Sequence, residues 1–280
     1  MIPAHPSLDK ALLQPRAYPR LIRLGRDWDG GYVVPEDQLE ACSSLVSLGL
    51  SDDVSFDTDF LRHSPTARLV GVDGRVGLGF LVRRFLHASW GAVRSTLRGR
   101  TLRRGLYIDS LRGCVGVARL YRLPHRRVRA WVSHDPGPGT LGLDAIFELL
   151  RPEARQWGPE PDVFLKMDVE GAEYPLVPDL IRLRDRIRCI AVEFHAWDER
   201  VEEFDRAIRA LKEHFDVVHV HGNNWGTVDE SSSFPTTVEL TMVNRAVLPG
   251  DLPLSDADYP LKGLDRPCNP LVPDIPFHFR

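Results

Sequence analysis

Short apolar runs alternate with stretches of helical periodicity along the middle of this chain, and that alternation limits its fold more than anything else in the sequence. Strands are expected at 44–50, 68–72, 128–132, 163–167, 189–194, 217–220 and 238–242, where apolar and β-branched residues form runs too short for helices. Between them, 54–61 has helical character, and apolar residues at 141, 143, 146, 149 and 150 fall at helical spacing. Val201, Phe204, Ile208, Leu211 and Phe215 do the same, with Asp198 placed to cap that helix and with Glu202/Arg206 and Asp205/Arg209 at i,i+4. Strands separated by helices imply βαβ units. The expected class is therefore α/β, built on a mostly parallel, doubly wound sheet covered on both faces.

In such sheets ligands sit beyond the carboxyl ends of the strands, near the point where strand order reverses. The residues expected there are polar. Gly49, Ser51, Asp52 and Asp53 follow the first strand, and Asp73 ends the second. Asp168, Glu170 and Gly171 follow the fourth, Glu193 and His195 end the fifth, and His219, His221, Asn223 and Asn224 end the sixth. Plainer readings stand beside these. Asp73 could be a helix N-cap, Glu170 could only favour a helix dipole, and one of His219 and His221 could be a packed core histidine.

Charge is spread unevenly. The net charge is −3, yet residues 75–130 hold fourteen arginines and a single acid, Asp109. Such a segment attracts phosphates, sugar phosphates or nucleic acid, unless it is a solvated face paired with acids elsewhere. It is expected to form helices covering part of the site. Residues 249–280 hold seven prolines, which rules out helix or central strand and points to an extended arm packed on a domain formed by 1–248. No uninterrupted apolar run approaches the ~20 residues of a membrane span, and the N-terminal stretch has no apolar leader segment. Cys42, Cys114, Cys189 and Cys268 lie far apart with no C-x-x-C pair, which fits neither a disulfide framework nor a zinc ribbon. A cytoplasmic protein without a membrane partner is expected.

The run Asp162-Val-Phe-Leu-Lys-Met-Asp-Val-Glu-Gly-Ala-Glu-Tyr174 resembles the LK(I/M)DVEGAE(Y/W) motif of FkbM-type S-adenosylmethionine-dependent methyltransferases. Three further segments are similar to a subgroup carrying a DGGYV box. They are Arg26-Asp-Trp-Asp-Gly-Gly-Tyr-Val33, Ala191-Val-Glu-Phe-His195, and His219-Val-His-Gly-Asn-Asn224 followed by Val238-Glu-Leu-Thr241. The motifs stand in the family's order over roughly residues 20–245, with 75–130 and the proline arm outside the resemblance.

The resemblance implies a Rossmann-like seven-strand methyltransferase fold, with the Arg-rich segment as an insertion, and an enzyme using S-adenosylmethionine. It implies that Gly49, Ser51, Asp52 and Asp73, with Gly31 of the DGGYV box, bind that cofactor. Of a G-x-G-x-G turn only Gly49 is present. His195 or His221 would act as general base beside Asp168, while Glu170, Glu193, Asn223 and Asn224 would hold the acceptor. Asp168, Glu193, His195 and His221 could instead converge on a divalent metal, although no H-E-x-x-H or C-x-x-C spacing calls for one. No (D/N/S)-P-P-(Y/F/W) sequence is present, which favours an oxygen nucleophile over a planar amine. The expected function is O-methylation of a sugar or other polyhydroxylated small molecule, with an anionic acceptor suggested by the arginines and nucleic acid not expected. Two alternatives remain: an RNA-directed methyltransferase, and a cofactor fold retained only for binding.

Overall fold

Seven strands form the central sheet of the computed structural model: β1 (Ser44–Leu48), β2 (Arg68–Val72), β3 (Arg126–Val128), β4 (Val163–Met167), β5 (Ile187–Phe194), β6 (Phe215–Gly222) and β7 (Val238–Asn244). Residues 8–122, 124–150 and 157–279 are described; residues 1–7, the start of the N-terminal stretch read above, lie outside them. The spatial order is β3-β2-β1-β4-β5-β7-β6. The strands from β3 across to β5 run parallel, and β7 is antiparallel to both its neighbours. This is the Rossmann-like methyltransferase fold, an α/β sheet wound in both directions from β1.

Alternation along the strands builds two cores. Val46, Leu48, Val70, Val72, Leu165 and Met167 face one side and pack with Ile146 and Phe147 of α4 (Leu143–Glu148), Leu176 and Leu180 of α5 (Glu173–Arg182), and Phe204, Ile208 and Leu211 of α6 (Val201–Lys212). Leu45, Leu69, Phe164 and Ala191, one residue out of phase, face the other side. There they meet Phe56 and Phe60 of α1 (Ser55–His63) and Tyr32 and Val34 of the hairpin Leu21–Leu24/Tyr32–Pro35. Each fully buried Phe or Leu contributes ~1.5–3 kcal/mol, so both faces are strongly driven to be covered.

Two expectations need adjusting. The run 128–132 does not form one strand: Arg126–Val128 joins β2, whereas Trp131–Val132 pairs with Thr140–Leu141 in a separate ribbon. Asp198 does not cap α6. It lies in the 3-10 turn Trp197–Arg200, and α6 begins at Val201 without a side-chain cap.

The Arg-rich segment forms a helical hairpin, α2 (Leu78–Leu97) and α3 (Thr101–Leu120). Asp52 fixes it to the domain, accepting hydrogen bonds from Arg84 Nε at 2.7 Å and from the Ser110 hydroxyl. Gly113 lets α3 lie directly on that loop, since a Cβ there would stand 1.7 Å from the Asp52 carbonyl oxygen. The proline-rich segment lies along the β6 side of the sheet. Asp265 pairs with His219 at 3.1 Å and Asp274 with His221 at 3.1 Å, while Tyr259 and Phe277 are buried in the larger core.

Candidate active site

Register sets the rim of the sheet. Leu48 stands beside Val72 and Met167, and Met167 beside Val192. The next residues, Gly49, Asp73, Asp168 and Glu193, therefore emerge level with one another. Glu193 pairs with Glu239, and Glu239 with His221, continuing the same line across β7 and β6. Strand order reverses between β1 and β4, which opens a crevice there. A cavity of about 140 Å³ occupies it, lined by Gly49, Ser51, Val72, Asp73, Gly74, Arg75, Phe80, Ala130, Trp131, Val132, Asp168, Val169, Glu170 and Ala172.

One half of the cavity is built on backbone. Gly49 has φ +78°, and a Cβ on it would fall 1.6 Å from the Asp168 carbonyl oxygen, so only glycine allows β1 to turn against the end of β4. Asp73 accepts backbone N–H bonds from Ser51 at 2.9 Å, Arg75 at 2.6 Å and Val76 at 2.9 Å. It thus ties the turn after β1 to the turn after β2. An ionised carboxylate has about four acceptor positions, so about one is left for a ligand hydroxyl. Trp131, with Arg75 over its ring at 5.7 Å, and Phe80 supply flat apolar walls.

The other half is acidic. His195 Nδ1 lies 3.0 Å from Glu173 Oε1; its Nε2 lies 3.2 Å from Glu193 Oε1 and 3.8 Å from both Asp168 Oδ1 and Glu170 Oε2. Burial pulls the imidazole pKa down, but hydrogen bonds to Glu173 and Glu193 override it and push it up to about 11. Burial, then the charge of Asp168, pushes the Glu193 carboxyl up to about 8 against the pull of His195. Burial likewise raises the Asp168 carboxyl, opposed by Lys166 and His195. At neutral pH His195 is therefore an imidazolium, and the Glu193 carboxyl beside it keeps its own proton.

That corrects the expectation of a free histidine base. His195 carries its proton already, and His221 is closed off. The His221 ring is 1% exposed, with Nδ1 2.8 Å from Glu239 and Nε2 3.1 Å from Asp274. Burial works against its charge, but hydrogen bonds donated to Asp274 and Glu239 push its pKa up to about 10. Other expected ligands are likewise engaged elsewhere. Asp52 is 3% exposed and faces the hairpin; burial acts to raise its carboxyl, yet the Arg84 and Ser110 hydrogen bonds hold it below the usual carboxylate range. Gly31 is packed against the Arg26 carbonyl and the Arg23 guanidinium, away from the cavity wall. Asn224 donates to the carbonyls of Asn269 at 3.0 Å and Pro273 at 3.1 Å, fastening the proline arm. Asn223 donates to Glu193 at 2.9 Å and positions it. Gly49, Ser51, Asp73, Asp168 and Glu170 do meet at the cavity, with Glu193 and His195 adjoining.

Sequence reasoning passed over Glu173, Arg75, Phe80 and Trp131. Glu173 is fully buried, and its Oε1 accepts from the Val169 and Gly171 amides at 3.2 and 3.1 Å as well as from His195. Its signal was present in the DVEGAE run, where a third acid, after Asp168 and Glu170, opens α5. A metal would find a matching donor set here: Asp168, Glu193 and His195 offer ligand atoms within 4.8 Å of one another, and the Glu173 bond to Nδ1 leaves Nε2 aimed at them. His221 belongs to a separate buried group with Glu239 and Cys268.

Residues 153–217, which hold this acidic cluster, match the family model described as the methyltransferase FkbM domain. Over those residues the chain is similar to a methyltransferase domain. No curated protein matches it. Among solved structures it is similar to the precorrin-6y C5,15-methyltransferase from Geobacter metallireducens GS-15, at 12% identity over 75% of this chain and 87% of that one, with a TM-score of 0.35. It is also similar to the fibrillarin pre-rRNA processing protein of Methanococcus jannaschii, at 9% identity over 74% of this chain and 68% of that one, with a TM-score of 0.37. The fold stands on the strand order, not on these likenesses.

Proposed function

We propose that this chain uses S-adenosylmethionine to methylate a hydroxyl of a polyhydroxylated small molecule. The observation that carries this reading is the meeting, at one rim, of a cavity ending at Asp73 with four acids gathered around His195. S-adenosylmethionine supplies a methyl on a sulfonium, already activated for attack. Gly49 and Ser51 would line its methionine end, the free acceptor position of Asp73 a ribose hydroxyl, and Trp131, Phe80 and Val132 the flat base.

The acceptor's side of the reaction falls to the acids. Asp168 and Glu170 belong both to the cavity wall and to the His195 cluster, and carboxylates are the natural acceptors of hydroxyl hydrogen bonds. Asp168 takes the hydroxyl proton, its affinity for it increased by burial. The imidazolium of His195 offsets the crowded negative charge and holds Asp168 and Glu193 in orientation. Any anionic group on the acceptor lies toward Arg75, not toward the acids.

A second reading has a specific observation behind it, the convergence of Asp168, Glu193 and His195. These residues would hold a divalent cation, which supplies positive charge that lowers the pKa of a hydroxyl. The experiment for both is methyl transfer from labelled S-adenosylmethionine to a panel of sugars and polyols, with and without EDTA, the products placed by NMR. Transfer to a hydroxyl is expected. Transfer to nitrogen or to RNA alone, or none to any acceptor, contradicts the proposal; loss with EDTA and recovery with Mg²⁺ selects the cation reading.

A further inference from the structure

The outer face of α2 has no role in the site described above. Leu81, Ala88, Gly91 and Ser95 are its buried side. Beside them Leu78, Val82, Leu86, Trp90, Val93 and Leu97 recur every three or four residues, so they form one stripe, and they are 51 to 83% exposed. Over 20 residues that stripe runs about 30 Å. Arg83, Arg94 and Arg98 flank it, and Arg100, Arg103 and Arg104 follow around the turn into α3, all exposed. The hairpin's ion pairs among the described residues are Arg84 with Asp52 and Arg112 with Asp109, which leaves those six uncompensated.

An exposed apolar stripe edged by unpaired arginines matches a surface that offers both hydrocarbon and negative charge. We propose that the α2 face docks on an anionic lipid bilayer, its apolar side chains entering the headgroup boundary and its arginines meeting lipid phosphates. A second copy of the chain would bring like charge against like charge, and a nucleic acid would neutralise the arginines but leave Leu86, Trp90 and Leu97 in water. Among the described residues no helix is long and apolar enough to cross a membrane, but a helix lying in the interface has no need to be. The expectation of no membrane partner rested on spanning runs alone. Phe80, a wall of the cavity, lies two residues from Leu78, so docking would hold the cavity beside the lipid surface.

The test is sedimentation of the full chain with phosphatidylcholine vesicles, with and without about 30% phosphatidylserine, at about 0.15 M and about 0.5 M salt. Binding is expected to be at least about tenfold tighter to the anionic vesicles and to weaken with salt. Leu86→Ser with Trp90→Ser, both on the exposed stripe, should weaken binding about tenfold or more while leaving the melting temperature in place, and Arg94→Glu with Arg98→Glu should act likewise. The proposal is overturned by failure to bind anionic vesicles or by undiminished binding of the Leu86/Trp90 variant. Binding to mixed RNA without vesicle binding overturns it too, as does a dimer that the same variant dissociates in the absence of vesicle binding.

Discussion

Glu173 Oε1 lies 3.0 Å from His195 Nδ1, and Glu173 itself has no exposure to solvent. One buried carboxylate therefore fixes the turn after β4, through the Val169 and Gly171 amides, and the orientation of the imidazole that faces Asp168 and Glu193. Glu173→Gln keeps the shape and removes the charge. The variant is expected to lower the His195 pKa and to reduce turnover at least about tenfold, in line with lost positioning of a coupled group. Imidazole nitrogen shifts followed by NMR from pH 7 to 11 check the first, and separate kcat and KM values the second. An unaltered His195 titration would show that Glu173 is only structural.

Asp168 is the proposed proton acceptor. Asp168→Asn keeps the size but cannot take the proton, so kcat should fall by about 10²–10⁴. Affinity for S-adenosylhomocysteine should stay near that of the wild type, because the residue's reactive end serves the acceptor. Turnover assays paired with equilibrium binding separate the two, and wild-type turnover would remove Asp168 from this role.

Gly49→Ala forces a side chain into φ +78° and against the Asp168 carbonyl oxygen at 1.6 Å. Left-handed strain alone costs ~1–3 kcal/mol, and the clash adds to it. A lower melting temperature together with weaker cofactor binding is expected. A variant as stable as the wild type would mean that β1 and β4 can separate at this rim without cost.

His221 gives the sign of a pH effect. Its pKa in the fold is raised to about 10, above the ~6.5 of an unfolded chain. Its contribution to stability is therefore complete below pH ~6.5 and is lost as pH rises through 10. Urea unfolding of the wild type should show stability declining over that range, and His221→Gln, with nothing to titrate there, should decline less steeply. Equal slopes would contradict a charged His221 clamped between Glu239 and Asp274.

Six of the seven strands were legible because each carries its own apolar run, and 68–72 and 163–167 fall on β2 and β4 residue for residue; β3, Arg126-Arg127-Val128, carries none and was placed too late in the chain. The rim followed, since the residue after each parallel strand must emerge at the same end. The partners across the rim did not. That Asp52 turns to Arg84, Asn224 to the proline arm and His221 to Asp274 depends on contacts spanning 32, 49 and 53 residues, which no local pattern encodes. The apolar stripe of α2 was hidden for a different reason. Its spacing is that of any helix with a buried face, and only the packing of Leu81, Ala88 and Gly91 shows that a second apolar face is left over.

Calorimetric titration of S-adenosylhomocysteine into the wild type and Asp73→Ala tests the cofactor site, on which the proposed methyl transfer depends. One site per chain is expected in the wild type. In the variant the affinity falls by at least about tenfold, since a hydrogen bond to a charged group is worth ~1.5–3 kcal/mol and the Ser51, Arg75 and Val76 amides lose their acceptor as well. No binding to the wild type, or equal affinity in the two proteins, would contradict it.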